Sequence, residues 1–241
     1  MPELAAVLFS FPSADLKATI EGVLHQPADE GPLTPALIVC HGRWNNLDLP
    51  LLRDLCQRAA VAGLRAVRFN FRYVTHKTSP SANGANEIAD LEGALAAVKT
   101  QFKPSPGRTY LAGKSLGAIV ASHVAAAHPG MGGYVALGYP LHAEGGQGMA
   151  DTSHLSRLGC PALFVVGDRD PYCQIARLRP VLDTIPTSCT LEVVRGGDHS
   201  YHPPDAPERA VLRPPEHGGS DAYLPQALDA VLAWLAVQIG D

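Results

Sequence analysis

A serine framed by two glycines, Gly113-Lys114-Ser115-Leu116-Gly117, is the segment of this chain best equipped to do chemistry. It has the form Gly-x-Ser-x-Gly. The apolar run Arg108 to Ala112 leads into it with strand character, and the alanine-rich segment Leu116 to His128 leads out with helical character. A strand, tight turn and helix in that order hold a serine on a strained corner, with its hydroxyl projecting above a sheet. Side chains at the two glycines would collide with the neighbouring strand and helix. The five residues alone also occur in ordinary glycine-rich turns. The flanking strand and helix are what mark Ser115 as a nucleophile.

A serine hydroxyl attacks poorly at its free pKa, so it needs an adjacent base, and the base needs an orienting acid. On a fold of this type the chain order is serine, acid, histidine. Acid candidates follow the apolar run Ala162 to Val166, in Gly167-Asp168-Arg169-Asp170-Pro171. The carboxyl end of a strand is where open α/β sheets build their sites. Asp168 and Asp170 compete there, and Asp170 would also serve as a helix N-cap ahead of Gln174 to Asp183. The base candidate is His199, in the turn Gly196-Gly197-Asp198-His199-Ser200 after the strand Thr190 to Val194, with His202 the nearest alternative. His25, His76, His123, His128, His154 and His217 read as surface or helix-end residues.

Acyl transfer also needs donors for the developing oxyanion. The backbone N–H of Leu116 is one. The loop His41-Gly42-Arg43-Trp44 offers the second, at the Arg43 N–H with Trp44 next. Around this centre Trp44, Arg72, Tyr73, Tyr139 and His142 are candidate pocket residues. An arginine there would pair bidentately with a substrate carboxylate, although a surface salt bridge is the plainer use for Arg43, Arg72 and Lys114. Core packing explains the aromatics equally well, and a structural turn is the plainer role for His142. Cys173, close to Asp170 in sequence, reads as packing.

Strands alternating with helices must carry these loops. Leu4 to Phe11 and Thr19 to His25 read as an antiparallel pair. The continuously apolar Pro35 to Cys40 suits a strand covered on both faces. Leu51 to Ala62 is helical and stops at Gly63. Leu64 to Phe71 is a strand. Asn86 to Phe102 is an amphipathic helix with Ile88, Leu91, Leu95 and Val98 on one stripe. Gly133 to Leu137 is a further strand, and Tyr223 to Ile239 a last helix. Val74 to Ala85 and the proline-rich His202 to Gly219 read as loops. Alternation of this kind implies an α/β fold, a mostly parallel twisted sheet with helices on both faces. No internal repeat, linker or block large enough for a lid domain interrupts it, so residues 1–241 read as a single domain.

A net charge of −4 and the lack of a basic run argue against nucleic-acid binding. Charged residues are 17% of the chain, too few for a disordered polyelectrolyte. The five cysteines, Cys40, Cys56, Cys160, Cys173 and Cys189, form no C-x-x-C pair, so neither a disulfide framework nor a zinc site is expected. Met1-Pro2-Glu3 lacks the basic-then-apolar order of a secretory signal, and no apolar run reaches membrane-spanning length. A cytoplasmic protein without membrane partners is the expectation, with an exposed edge at the first strands that would suit a homodimer.

With its three loops placed, the chain resembles the α/β-hydrolase superfamily from about Thr19 to Ile239. It looks most like small lidless hydrolases of the dienelactone-hydrolase-like kind. More narrowly, Ala112 to Gly117 resembles the Ala-Gly-Lys-Ser-Leu-Gly elbow of a subgroup that includes the hydrolase-like domain of a chromatin-complex subunit. Phe69 to Tyr73 and Gly138 to His142 resemble further signatures of that subgroup. The Gly-x-x-Asp spacing seen in related hydrolases favours Asp170 over Asp168. The resemblance implies a Ser115–Asp170–His199 triad and hydrolysis without metal or cofactor, but supplies no substrate; the three chemical loops themselves motivate a small-molecule ester, thioester or lactone. A catalytically silent interaction module on the same fold is the alternative, since fold alone does not give function. The chain departs from the subgroup at Arg43 and Trp44, where small residues are usual.

Overall fold

In the computed structural model, which describes residues 6–31, 33–202 and 223–240, eight strands form one sheet. The strands are β1 (Ala6–Pro12), β2 (Thr19–His25), β3 (Ala36–Cys40), β4 (Arg65–Phe69), β5 (Thr109–Lys114), β6 (Gly133–Leu137), β7 (Ala162–Gly167) and β8 (Cys189–Val194). Their order across the sheet is β1-β2-β4-β3-β5-β6-β7-β8. β1 pairs antiparallel with β2, and β2 antiparallel with β4; every other pair is parallel. The expected antiparallel opening and parallel body are what form. Residues 1–5, 203–222 and 241 lie outside the described residues, and with them the proline-rich loop, His217 and the start expected for the first strand.

Burial explains the sequence pattern. β3 to β7 are buried along their whole lengths; β3, β6 and β7 accordingly read as continuous apolar runs, while β4 and β5 also bury Arg65, Arg68 and Lys114. Helices α1 (Pro50–Val61) and α6 (Tyr223–Gly240) cover one face, packing Leu52, Leu55, Leu228 and Val231 on Leu37, Val39 and Val165. Helices α3 (Ala85–Phe102), α4 (Leu116–Ala127) and α5 (Ile175–Leu182) cover the other, over Ile38, Phe69, Leu111 and Phe164. α1 ends where Gly63 turns to φ +92°, a conformation that costs glycine little. The first part of the expected loop at Val74 is instead the end of α2, a single helical turn (Arg72–Thr75).

Chain order places the site. After β3 the chain crosses to one side of that strand to make β4, whereas β5 joins its other side. A crevice opens outside the carboxyl ends of strands at such a reversal. Register sets Cys40 beside Gly113, so the loops leaving β3 and β5 begin as neighbours.

Candidate active site

Ser115 sits on the corner between β5 and α4 with φ 53° and ψ −118°, a conformation that non-glycine residues avoid. Close packing enforces it. A Cβ on Gly113 would run into the carbonyl of Gly117, and one on Gly117 would meet the Cys40 and His41 carbonyls at 2.6 Å. The two glycines thus let β5, α4 and the end of β3 come together with backbone against backbone. The Ser115 N–H is tied to the Leu137 carbonyl (3.0 Å).

Three loops converge on the hydroxyl. His199 Nε2 lies 3.0 Å from Ser115 Oγ, and His199 Nδ1 lies 2.8 Å from Asp170 Oδ2. The other carboxylate oxygen of Asp170 accepts the Tyr172 N–H at 2.8 Å. The Asp170 side chain is fully buried, so its charge is fixed in place. Asp168, by contrast, is exposed and accepts the Gly196 N–H (2.7 Å). It shapes the histidine loop rather than touching the histidine. His202 pairs with Asp198, and the Asp198 carboxyl is held at about 2: burial pushes it up, but hydrogen bonds from the His202 side chain and from the N–H groups of His202 and Ser200 outweigh that. Burial, with the nearby Lys114 cation second, pushes the His199 pKa below its ordinary 6.5, against the pull of Asp170. The imidazole is therefore neutral at neutral pH, with a lone pair on Nε2 for the serine proton.

The loop after β3 is braced from below. His41 is fully buried. Its Nδ1–H donates to the Gly42 carbonyl (2.8 Å), while its Nε2 accepts the Phe71 N–H (3.1 Å), which fixes both tautomer and neutrality. Burial pushes its pKa to about 4. The Tyr73 hydroxyl reaches the Gly42 carbonyl at 3.1 Å and the Arg43 carbonyl at 3.0 Å. Both carbonyls of the loop are thereby held by side chains, the Gly42 carbonyl by His41 and Tyr73 and the Arg43 carbonyl by Tyr73. Gly42 lies so close that a Cβ there would be 3.3 Å from Ser115 Cβ. Leu116, the first residue of α4, has an N–H with no acceptor inside its helix.

Several expected pocket residues do other work. The Arg72 guanidinium bonds Asp90 (2.7 Å) and Asp15 (2.9 and 3.0 Å), tying α2 to α3 and to the β1–β2 turn. It has no face left for a substrate carboxylate. The same arginine holds the Asp15 carboxyl well below the usual range, whereas burial pushes Asp90 up. Tyr139 is fully buried, its ring 5.7 Å from that of Phe164. His142 spends both nitrogens on backbone, at Ala143 O (2.8 Å) and the Gln174 N–H (3.0 Å), and so pins one loop to another. Tyr73 braces the β3 loop instead of lining a slot. Trp44 remains: it is 76% exposed, with the Arg43 guanidinium 5.9 Å from its ring. These two bulky residues turn outward and do not fill the loop.

Two of the expected surface histidines are buried. His25 accepts from Arg68 Nε (3.1 Å), and His154 pairs with Ser122 Oγ (2.8 Å) and stacks on His123. His41 and Tyr172 were not expected as participants. The Tyr172 ring meets the His199 ring edge-on at 4.8 Å. Its place two residues after Asp170 was the available signal. Cys173 is buried, and burial pushes its thiol up to about 12, far from a nucleophile's range.

Comparison with known proteins agrees with this fold. A family model described as an alpha/beta hydrolase domain matches residues 34–212. An alpha-beta serine hydrolase homologue from Coxiella burnetii superposes with a TM-score of 0.72 at 21% identity, over 95% of this chain and 97% of that one. A serine hydrolase without a lid from Xanthomonas campestris gives 0.66 at 20% identity, over 99% and 94%. A dienelactone hydrolase from Anabaena variabilis gives 0.71 at 18% identity, over 96% and 97%. At these identities the likeness is one of fold.

Proposed function

The chain belongs to the alpha/beta hydrolase domain family, and we propose that it is a serine hydrolase acting on a small-molecule ester, thioester or lactone. One observation carries the reading: the hydrogen-bonded series Ser115 Oγ, His199, Asp170, at 3.0 and 2.8 Å, on a strained turn. His199 Nε2 takes the Ser115 proton as Oγ attacks the acyl carbon. The negative charge moves onto the acyl oxygen, between the Leu116 and Arg43 N–H groups. The imidazolium, steadied by Asp170, then gives its proton to the leaving group, and the acyl-enzyme forms. Water repeats the sequence and releases the acid. Each step uses protein groups alone. The names borne by structural neighbours, serine hydrolase and dienelactone hydrolase, fit this chemistry. All five cysteines are free thiols, which suits the cytoplasmic location we assign. Turnover of p-nitrophenyl acetate, an acyl thioester and a lactone by wild type and Ser115→Ala tests the proposal. Loss of turnover by about 10³-fold or more in the folded variant is expected; an active alanine variant contradicts it.

A further inference from the structure

Lys114 immediately precedes the nucleophile, and its side chain is not at the surface. Alternation along β5 sets it on the same face as Tyr110 and Ala112, the face covered by α1 and α6. It is 3% exposed, and its Nζ has no hydrogen-bond partner among the described residues. An ammonium buried without a partner costs several kcal/mol, so its retention calls for a compensating charge. Gly138 locates that charge. With φ +59° at this position, the glycine lies flat between two groups: a Cβ there would be 3.0 Å from Lys114 Nζ, 3.0 Å from the His199 carbonyl and 3.3 Å from His199 Nδ1. The ammonium and the Asp170-facing side of the imidazole therefore meet across one Cα.

We propose that Lys114 is a positioning residue for the base, the buried counter-charge of Asp170 that keeps His199 neutral, and so able to accept the Ser115 proton, in mildly acidic solution. This rests on the serine hydrolase reading. The charge count explains the arrangement. Asp170 and Lys114 are the buried pair of opposite charges, while the half-exposed Asp198 carboxylate pairs with His202. A proton on His199 would lie beside the Lys114 cation. Among the described residues, the titratable groups facing His199 are Asp170 through Nδ1, Lys114 across Gly138, Asp198 next to it in the chain, and the Tyr172 ring edge. Of these, Lys114 is the cation. Its own pKa is pushed down by burial to about 8, held there by Asp170 and Asp198, so it is charged where His199 titrates.

The sign follows. A neighbouring positive charge disfavours imidazolium, so removing it raises the His199 pKa and moves the acid limb of activity to higher pH. The test is the pH dependence of fluorophosphonate labelling in wild type and Lys114→Met, with the His199 imidazole followed by NMR in both. The expected result is an upward move of the acid limb and of the His199 midpoint by roughly one pH unit. Midpoints agreeing within about 0.3 unit would overturn the proposal. Should Lys114→Met not fold, wild type alone decides. His199 is expected to titrate below 6.5 and its resonances to shift again near pH 8 as Lys114 loses its proton. A single midpoint at or above 6.5 overturns the proposal. Failure of wild type to label would sink the hydrolase reading instead, while the NMR midpoint still reports on Lys114.

Discussion

Replacing Asp170 by asparagine changes one oxygen for an NH2, and the structure dictates which way round the amide must sit. Asp170 Oδ1 accepts the Tyr172 N–H at 2.8 Å, and Oδ2 faces His199 Nδ1 at 2.8 Å. Tyr172 requires the amide oxygen on its side. That turns the NH2 toward Nδ1, which must then be an acceptor, and the ring proton moves to Nε2. There it faces Ser115 Oγ, and the base is lost. Turning the amide round restores the working tautomer but sets two N–H donors against each other at Tyr172. Leaving a buried donor unsatisfied costs about 1–3 kcal/mol, so roughly one molecule in six to one in 160 retains a usable base. The imidazolium also loses its charged acceptor, worth a further ~1.5–3 kcal/mol. Together these predict a fall in kcat/KM of about 10²- to 10⁴-fold. The assay is ester turnover at neutral pH, with circular dichroism to verify folding. Asp168→Asn is the control: that carboxylate is exposed and, among the described residues, bonded only to the Gly196 N–H, so it should stay within about threefold of wild type. A folded Asp170→Asn enzyme within about tenfold of wild type, or a larger loss in Asp168→Asn, would refute the assignment of the orienting acid.

Tyr73→Phe removes the hydroxyl shared by the Gly42 and Arg43 carbonyls. One hydrogen bond of about 0.5–1.5 kcal/mol is lost from the brace, so steady-state kinetics should show kcat lowered roughly two- to tenfold with KM little changed; an unchanged kcat would detach Tyr73 from the oxyanion loop. His25, His41 and His154 are buried with pKa values pushed to about 4, in each case chiefly by burial. A histidine whose folded pKa is depressed binds fewer protons folded than unfolded between those two values. Stability should therefore be full above pH 6.5 and decline as pH falls from 6.5 to 4, with His41 alone contributing on the order of 3 kcal/mol. Urea titrations across that range measure it, and His41→Asn should flatten the slope.

Period and punctuation made the scaffold readable from sequence. The fully buried strands are mostly apolar, with Arg65, Arg68 and Lys114 the charged exceptions, and glycines mark the corners where backbones touch, as at Gly113 and Gly117. The serine, acid and histidine were readable for the same reason, because each follows a strand on a glycine-relaxed turn. Where one carboxylate had to be separated from another two residues away, spacing alone left Asp168 and Asp170 open. The turn after Gly167 separates them, with Arg169 N–H on the Gly197 carbonyl and Asp170 N–H on the Gly167 carbonyl, so that Asp168 takes the Gly196 N–H and Asp170 meets His199. The pocket was the least legible part. Arg72, Tyr139 and His142 are polar residues near the site in sequence, yet each is consumed by a partner distant in sequence: Asp15 and Asp90 for Arg72, Phe164 for Tyr139, Gln174 for His142. No local pattern encodes such contacts. Lys114 misleads for a related reason. A lysine is normally solvated, and strand alternation specifies a face without revealing that Gly138 and the histidine turn lie against it.

The central claim is that Ser115 is a working nucleophile. Reaction of the wild-type protein with a fluorophosphonate probe, followed by mass mapping of the adduct, tests it most directly. The account predicts a single stoichiometric adduct on Ser115 that disappears in His199→Ala. A folded protein that takes no adduct, or takes it on another residue, would contradict the account.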